Sequence, residues 1–512
     1  MRLAVALLVC VACSGPERAK APRPAAGAPL TSPGLRLPDD ALPLAYDLRL
    51  EIDPEQENFA GTVAIRTRLT TATDHVWLHA DRITIKDAHW DGGALALDPV
   101  QGDQMRAFRF GRRVDPGVVT LSFSFTGSLA TDQEGLFRQR ATGGGWYVFS
   151  QGESVFARRF TPCFDEPRFK TPWKVTLVVP KADVALSNMR EASVRGLPDG
   201  RKELVFAESP PLPSYLVAIA VGPFDLVEAG KAGKGNVPVR VAVRRGAAKQ
   251  VGVVAARLPA VLAALEAYTG EALPAQKLDL VAVPHLFGAM ENPGLITFDE
   301  PMLVGDPKDH ELANYFVLVA AHELSHQWFG NAVTPAWWDD LWLSEGFASW
   351  LGNKVERDLG AIDDPQLRAA LTRRDAIAAD EGENAAPLRR VMLHNEDPDN
   401  SFDEIAYQKG HAVLSTFEAY LGADKFRDVL RAYLASHRGG TATTADLVAE
   451  IRKATDDATA QSFELYVRKT GVPVVDLALR CDAHPAVIAH AHDHAVPVCI
   501  RYATAKASAE SC

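Results

Sequence analysis

Hydrophobic and polar residues alternate along the first half of the chain and recur with a helical period along the second half. Short alternating runs such as YDLRLEI, VVTLSFSF and WKVTLVV are separated by turn residues, which is typical of half-buried strands. From about residue 248 the period becomes helical, and Gly270 is predicted to end the first long helix. The pattern predicts a multidomain α+β protein, in which a β-rich saddle or sandwich precedes an α-rich domain.

Composition divides the chain into five predicted segments. Residues 1–12 are a predicted signal peptide, because one Arg precedes a short apolar run that ends in small residues. Residues 13–37 are rich in Pro, Ala and Gly, which predicts a disordered tether. Residues 38–243 hold the strand-like runs and residues 244–470 the helix-rich domain. Residues 471–512 form a short β-strand tail, too small for an independent domain.

The stretch CVAC ends at Cys13, with Ala12 before it and Ser14 after it. It resembles a bacterial lipoprotein cleavage box, which would make Cys13 a lipidated N-terminus. Leu is usual where Cys10 stands, so plain secretion is the alternative. We therefore expect export, either to the bacterial periplasm or outer membrane as a lipoprotein or by secretion, with membrane contact only through that anchor.

Charge argues against a nucleic-acid partner. Asp and Glu number 65 against 54 Lys and Arg, and the basic residues form no long run. Phosphate binding needs clustered positive charge, so we expect neither DNA nor RNA to bind.

Two features of the tail carry weaker expectations. Cys481, Cys499 and Cys512 cluster near the end, and in an exported protein two of them can form a disulfide that sequence cannot assign. Three alternating histidines could bind a second metal, although a solvated edge is the favoured interpretation; they are His490, His492 and His494.

The stretch VAAHELSHQWFGN, residues 319–331, contains candidate metal-binding and catalytic residues. His322 and His326 are four apart on a predicted helix, so both imidazoles share one face. Two neutral imidazoles suit Zn²⁺, and Glu323 between them can take a proton from a metal-activated water. The short motif alone remains only suggestive.

A third ligand makes the prediction stronger. Glu345 follows His326 by 19 residues, in LWLSEGFASW, on a helix predicted to begin at Pro335 and to fold back antiparallel. Three protein ligands with one open position are typical of a catalytic zinc site. The alternative is a surface Glu, but an unpaired carboxylate among so many apolar residues would be costly.

The stretch HELSHQWFGNAVTPAWWDDLWLSEGFASWL, residues 322–351, resembles the zinc site of the aminopeptidase N family of gluzincin metallopeptidases, which includes leukotriene hydrolase. The resemblance implies that His322, His326 and Glu345 bind one Zn²⁺ and that Glu323 is the general base. It implies a thermolysin-like catalytic domain.

Three further stretches resemble the same family. GAMEN resembles its exopeptidase motif, which implies that Glu291 holds the free α-amine of the substrate. The remaining GAMEN residues are then also substrate-binding: Gly288, Ala289, Met290 and Asn292. SQGESVFARRFTPCFDEP resembles the β-domain segment with a second amine-binding group, here Glu153. YQKG resembles the segment whose tyrosine, here Tyr407, stabilises the oxyanion.

The resemblance covers roughly residues 37 to 475 and implies a zinc-dependent aminopeptidase acting on peptides with a free N-terminal amine. Three alternatives stay open on the same scaffold. A zinc endopeptidase would need no amine anchor, and an epoxide hydrolase has no positive sign in the sequence. A non-catalytic or weakly active peptide-binding lipoprotein is the third.

Overall fold

The structure is a computed structural model, and it describes residues 30–98, 104–306, 308–480, 486–492, 496–503 and 508–511. The predicted signal peptide and Cys13 lie outside the described residues. The architecture confirms the predicted fold class, with a β-rich part, a helical part and short strands at the end.

The β-rich part holds three sheets. Its strands are Ala41–Glu51 (β1), Asn58–Leu69 (β2), Thr73–His79 (β3), Ile83–Trp90 (β4), Gly93–Ala94 (β5), Ala96–Leu97 (β6), Met105–Val114 (β7), Gly117–Ser128 (β8), Gly135–Arg140 (β9), Trp146–Gln151 (β10), Trp173–Pro180 (β11), Val184–Ser187 (β12), Glu191–Gly196 (β13), Arg201–Phe206 (β14) and Ile219–Gly222 (β15). The sheet orders are β13-β14-β11-β1-β2-β8-β4-β5, β3-β7-β6 and β12-β15-β10-β9.

Strict alternation explains why the first sheet has one buried face. Along β2 every second residue is buried, including Phe59, Val63 and Ile65, as the period of two requires. Phe108 on β7 meets Phe123 on β8 with ring centroids 4.8 Å apart, so the first two sheets share one core.

A further sheet, with both parallel and antiparallel strand pairs, lies at the start of the helical part. Its strands are Phe224–Ala232 (β16), Val237–Arg244 (β17), Leu278–Val283 (β18), Ala289–Met290 (β19) and Leu295–Asp299 (β20), in the order β16-β17-β18-β20-β19. β17, β18 and β20 run parallel, whereas β19 pairs antiparallel at the edge. The predicted division at residue 243 falls at the end of β17, although most buried side chains of β16 and β17 belong to the core of this second part.

Helices surround this sheet. They are Gly252–Thr269 (α1), Glu300–Leu303 (α2), His310–Ser325 (α3), Trp342–Asp358 (α4), Pro365–Glu381 (α5), Asp397–Asn400 (α6), Gly410–Leu421 (α7), Ala423–His437 (α8), Thr444–Ala454 (α9) and Asp457–Arg468 (α10), with a π-helical turn at Ile405–Lys409. By length and composition α1 is apolar enough to cross a membrane. Its Leu258, Leu262 and Leu265 are buried in the core, which identifies it as a core helix.

The helix predicted from Pro335 begins only at Trp342. Thr334–Pro335 (β21) is held extended, because it pairs in parallel with Thr441–Ala442 (β22), and a 3-10 turn at Trp338–Asp340 then leads into the helix. Asp340 then accepts hydrogen bonds from the amide and hydroxyl of Thr444. These long-range contacts override the helical pattern of the sequence.

The end of the predicted tether is fixed in place rather than disordered. The Arg36 guanidinium lies 3.9 Å from the ring centroid of Trp337 and 2.8 Å from the carboxylate of Glu166. Leu37 is buried. The ordered fold therefore begins before residue 38, because a buried carboxylate binds this segment.

Two hairpins form the tail, Val475–Arg480 (β23) with Ala486–Ala491 (β24) and Ile500–Ala503 (β25) with Ser508–Ser511 (β26). The rings of His490 and His492 lie 5.2 Å apart, and His492 pairs with Asp476. Cys499 is disulfide-bonded. His494, Cys481 and Cys512 lie outside the described residues.

Two glycines allow α4 and α7 to pack closely. A Cβ built on Gly410 would lie 2.9 Å from the Cα of Gly346, so neither residue has room for a side chain. Gly346 directly follows Glu345, and Gly410 lies three residues after Tyr407. The close contact therefore brings these two polar residues to one place.

Replacing Gly410 with Ala should destabilise the helical part by about 1–3 kcal/mol, because the added methyl meets backbone that cannot yield. Thermal unfolding measures the loss as a lowered midpoint. Gly196→Ala is the control, since a Cβ there meets nothing within 4 Å. Equal midpoints for the two variants would contradict this interpretation of the helix contact.

Candidate active site

Two histidines and one glutamate converge where α3 ends and α4 begins. The Nε2 atoms of His322 and His326 are 3.0 Å apart, and Glu345 Oε2 lies 3.4 Å and 3.6 Å from them. Ligand atoms about 2.0–2.1 Å from a tetrahedral zinc are themselves separated by about 3.3 Å. The three donors therefore fit one zinc ion.

The other side of the His326 ring is held by hydrogen bonds. Its Nδ1 lies 3.0 Å from the Ser344 hydroxyl and 3.2 Å from the Phe329 carbonyl. Because a carbonyl only accepts, Nδ1 carries the proton and Nε2 keeps its lone pair for a metal. Burial lowers the pKa of His326, which also favours the neutral ligand form.

The groups around Glu345 stabilise its ionised form. Burial would raise its pKa, but His326, His322 and the Tyr407 hydroxyl lower it below the usual value. Glu345 also lies in the first turn of α4, where the helix dipole stabilises negative charge.

Glu323 is a buried carboxyl group beside these donors. Burial, and then the carboxylates of Glu291 and Glu345, raise its pKa well above the usual value. Its Oε2 has no hydrogen-bond partner. A carboxylate in this environment takes up a proton readily.

Tyr407 faces the same ligands from the π-helical turn. Its ring stacks near His322, with centroids 6.1 Å apart. Burial, and then Glu345, raise the pKa of Tyr407 well above its usual value. The hydroxyl therefore keeps its proton and can donate it in a hydrogen bond.

Glu153 and Glu291 form an acidic pocket beside the ligands. Glu153 follows β10 and Glu291 follows β19, and one oxygen from each lies within 4.8 Å of the other and of a Glu345 oxygen. Burial and the neighbouring carboxylates raise the pKa of both. Among the described residues no Lys or Arg pairs with either one.

The other GAMEN residues lie on or beside β19. Ala289 and Met290 line the cleft, and a hydrogen bond joins the Gly288 carbonyl to the Asp299 amide. Asn292 is buried. The structure thus places the predicted site residues, other than Cys13, around one cleft of about 170 Å³ or in the loop that forms its wall.

Models of one protein family match most of the chain. The model described as "Peptidase M1 N-terminal domain" matches residues 42–216, and "Peptidase family M1 domain" matches residues 257–466. The chain belongs to peptidase family M1. Family M1 metallopeptidases are zinc-dependent, and the resemblance predicted from the sequence motifs is confirmed.

Curated M1 relatives have similar sequences. Aminopeptidase M1 of Arabidopsis thaliana is 35% identical over 463 residues, which cover 87% of this chain and 52% of the relative. Human glutamyl aminopeptidase is 31% identical, with 86% and 48% covered. Puromycin-sensitive aminopeptidase of Caenorhabditis elegans is 32% identical, with 88% and 49% covered. The chain thus spans about half the length of the curated M1 relatives it matches.

Sequence reasoning missed several residues of this M1 site. Gln151, Asp399 and Phe402 also line the cleft. Phe402 and Asp399 precede Tyr407 by five and eight residues, but no motif marks them. Ser344 directly precedes Glu345, and its contact with His326 could be found only from the way α4 folds back on α3.

Ser344→Ala should weaken zinc binding about tenfold, because the hydroxyl that holds the His326 ring is lost while the Phe329 carbonyl remains. Competition with a chelator at fixed pH measures the affinity. Ser436→Ala removes a hydroxyl that bonds Glu450 away from the cleft and is the matched control. Unchanged zinc affinity in Ser344→Ala would contradict the role given to this contact.

Proposed function

We propose that the chain is a zinc-dependent aminopeptidase that binds one Zn²⁺ and removes the first residue of peptides with a free amine. The acidic pocket supports this proposal most strongly. Two buried carboxylates, with no Lys or Arg partner among the described residues, lie beside three possible metal ligands, and a substrate's α-ammonium can supply the compensating positive charge.

His322, His326 and Glu345 would hold the zinc. When bound, zinc supplies a Lewis acid that polarises the scissile carbonyl and lowers the pKa of a coordinated water. A set of three protein donors is typical of a catalytic zinc site. Side chains of this chain carry out proton transfer, oxyanion stabilisation and substrate binding.

Glu323 acts as general base and then as general acid. It accepts the proton of the attacking water and delivers it to the departing amine. Burial and the neighbouring carboxylates raise the pKa of Glu323, which favours uptake of the proton from water. Tyr407 donates a hydrogen bond to the oxyanion that forms during attack.

The acidic pocket determines which bond is cut. Glu153 and Glu291 bind the α-ammonium close to the metal ligands, so only the first peptide bond reaches the reacting groups. The edge strand β19 presents its free backbone along the cleft, and an extended peptide can pair with it as an added strand. This arrangement distinguishes an aminopeptidase from an endopeptidase with the same zinc ligands.

The deciding experiment compares free-amine and N-acetylated fluorogenic peptides, with chelator and zinc re-addition. We expect cleavage of free-amine substrates only, loss of activity with chelator, and recovery with zinc. Glu323→Gln should retain zinc and lose activity, which makes it the blank.

Equal cleavage of acetylated peptides would favour the endopeptidase. Peptide binding without turnover would favour the non-catalytic alternative. Turnover of an epoxide alone would favour the hydrolase.

Tyr407→Phe should lower kcat about 10²–10³-fold with little change in KM, because its hydrogen bond forms only in the transition state. Steady-state kinetics on one free-amine substrate measures both constants. Tyr420→Phe is the control, since Tyr420 lies on α7 away from the cleft. An unaltered kcat would remove Tyr407 from the mechanism.

A further inference from the structure

Two side-chain amides from the segment that follows α3 hold the backbone of Glu291. Its carbonyl oxygen accepts a hydrogen bond of 2.8 Å from Gln327 Nε2 and another of 2.8 Å from Asn331 Nδ2. Gln327 directly follows the zinc ligand His326, and Asn331 lies in the turn after α3. All three residues joined by these bonds are buried.

A third contact ties the same turn to the β-rich part. Lys170 Nζ donates to the carbonyls of Asn331 at 2.8 Å, Ala332 at 3.2 Å and Gly440 at 3.1 Å. Lys170 follows the segment that carries Glu153. The turn at Asn331 therefore joins the end of α3, the backbone just after β19 and the segment that follows Glu153.

The turn at Asn331 contains groups that cost stability. Among the described residues, the Asn331 Oδ1 is buried without a hydrogen-bond partner, and such groups destabilise the folded state. Among the described residues no carboxylate pairs with Lys170, and burial lowers its pKa to about 8. These two groups destabilise the fold. Their presence is explained if the contacts of the turn position the site rather than stabilise the fold.

We propose that Gln327 and Asn331 are positioning residues that fix the distance between the Glu291 carboxylate and the zinc ligands. This inference rests on the proposed function. A carboxylate moves with its own backbone, and the Glu291 backbone is anchored to the segment that carries His326. A displacement of about 1 Å at a catalytic site can cost about 100-fold in rate, so loss of these two hydrogen bonds should weaken selection for a free α-amine by Glu291.

Neutral variants of similar size remove each donor without adding charge. They are Asn331→Leu and Gln327→Met. Asn353→Leu is the matched control, because Asn353 Nδ2 donates at 2.9 Å to the Ser349 carbonyl on α4 and makes no contact with the GAMEN loop. Asn331→Ser replaces Asn331→Leu if the larger side chain prevents folding.

The probes are an amino-acid hydroxamate with a free α-amine and its N-acetyl derivative. Calorimetry on the zinc-loaded full chain measures both affinities, and metal analysis measures zinc content. We expect each variant to keep its zinc. The ratio of its affinities for the free-amine and N-acetyl hydroxamates should fall at least tenfold below the wild-type ratio. The Asn353→Leu control should keep the wild-type preference.

An unchanged preference in both variants would overturn the inference. So would an equal loss of affinity for both hydroxamates, since that indicates a merely structural role. Failure of the proposed function is distinguished by the wild-type protein itself, which would then bind the two hydroxamates equally.

Discussion

Four carboxylates are buried around one small cleft, and among the described residues no lysine or arginine pairs with them. They are Glu153, Glu291, Glu323 and Glu345. Uncompensated charge in a protein interior is costly, so this cleft is suited to bind cations. In the proposed function, a divalent metal would satisfy Glu345 together with the two imidazoles, and a peptide's ammonium group would satisfy the acidic pocket. The chemistry proposed for the cleft follows from this imbalance of charge.

The scaffold brings these groups together from three separate parts of the chain. The end of α3 and the start of α4 supply the metal ligands, the edge strand β19 leads to Glu291, and the turn after β10 carries Glu153. A small apolar cluster that includes Phe156, Met290 and Trp338 packs between the β-rich and helical parts. Because this cluster lies beside the cleft, contact between the two parts and assembly of the site depend on the same interface.

Close contacts between backbone segments fix the positions of the groups around the cleft. The Gly346–Gly410 contact brings α4 against the turn that carries Tyr407, and a Cβ on Gly352 would lie 3.1 Å from the His322 amide nitrogen. The amides of Gln327 and Asn331 then connect the metal ligands to Glu291. Rigid backbone contacts of this kind hold catalytic groups more narrowly than flexible surface side chains can.

Local patterns in the chain predicted the order of its parts and the metal ligands. Alternation marks β2, the helical period marks α1, and spacing on one helix marks His322 and His326, since each signal depends only on neighbouring residues. Glu153, Glu291 and Tyr407 carry no such signal and were predicted only through the family resemblance.

Contacts between distant residues decided the rest. Pairing of β21 with β22 delays α4 until Trp342, Glu166 fixes Arg36 and Leu37, and β17 joins β18 rather than the first sheet. The ring contact of Ser344 and the two amides on Glu291 likewise join separate segments. Such contacts depend on how the elements pack in space, which local periodicity does not specify.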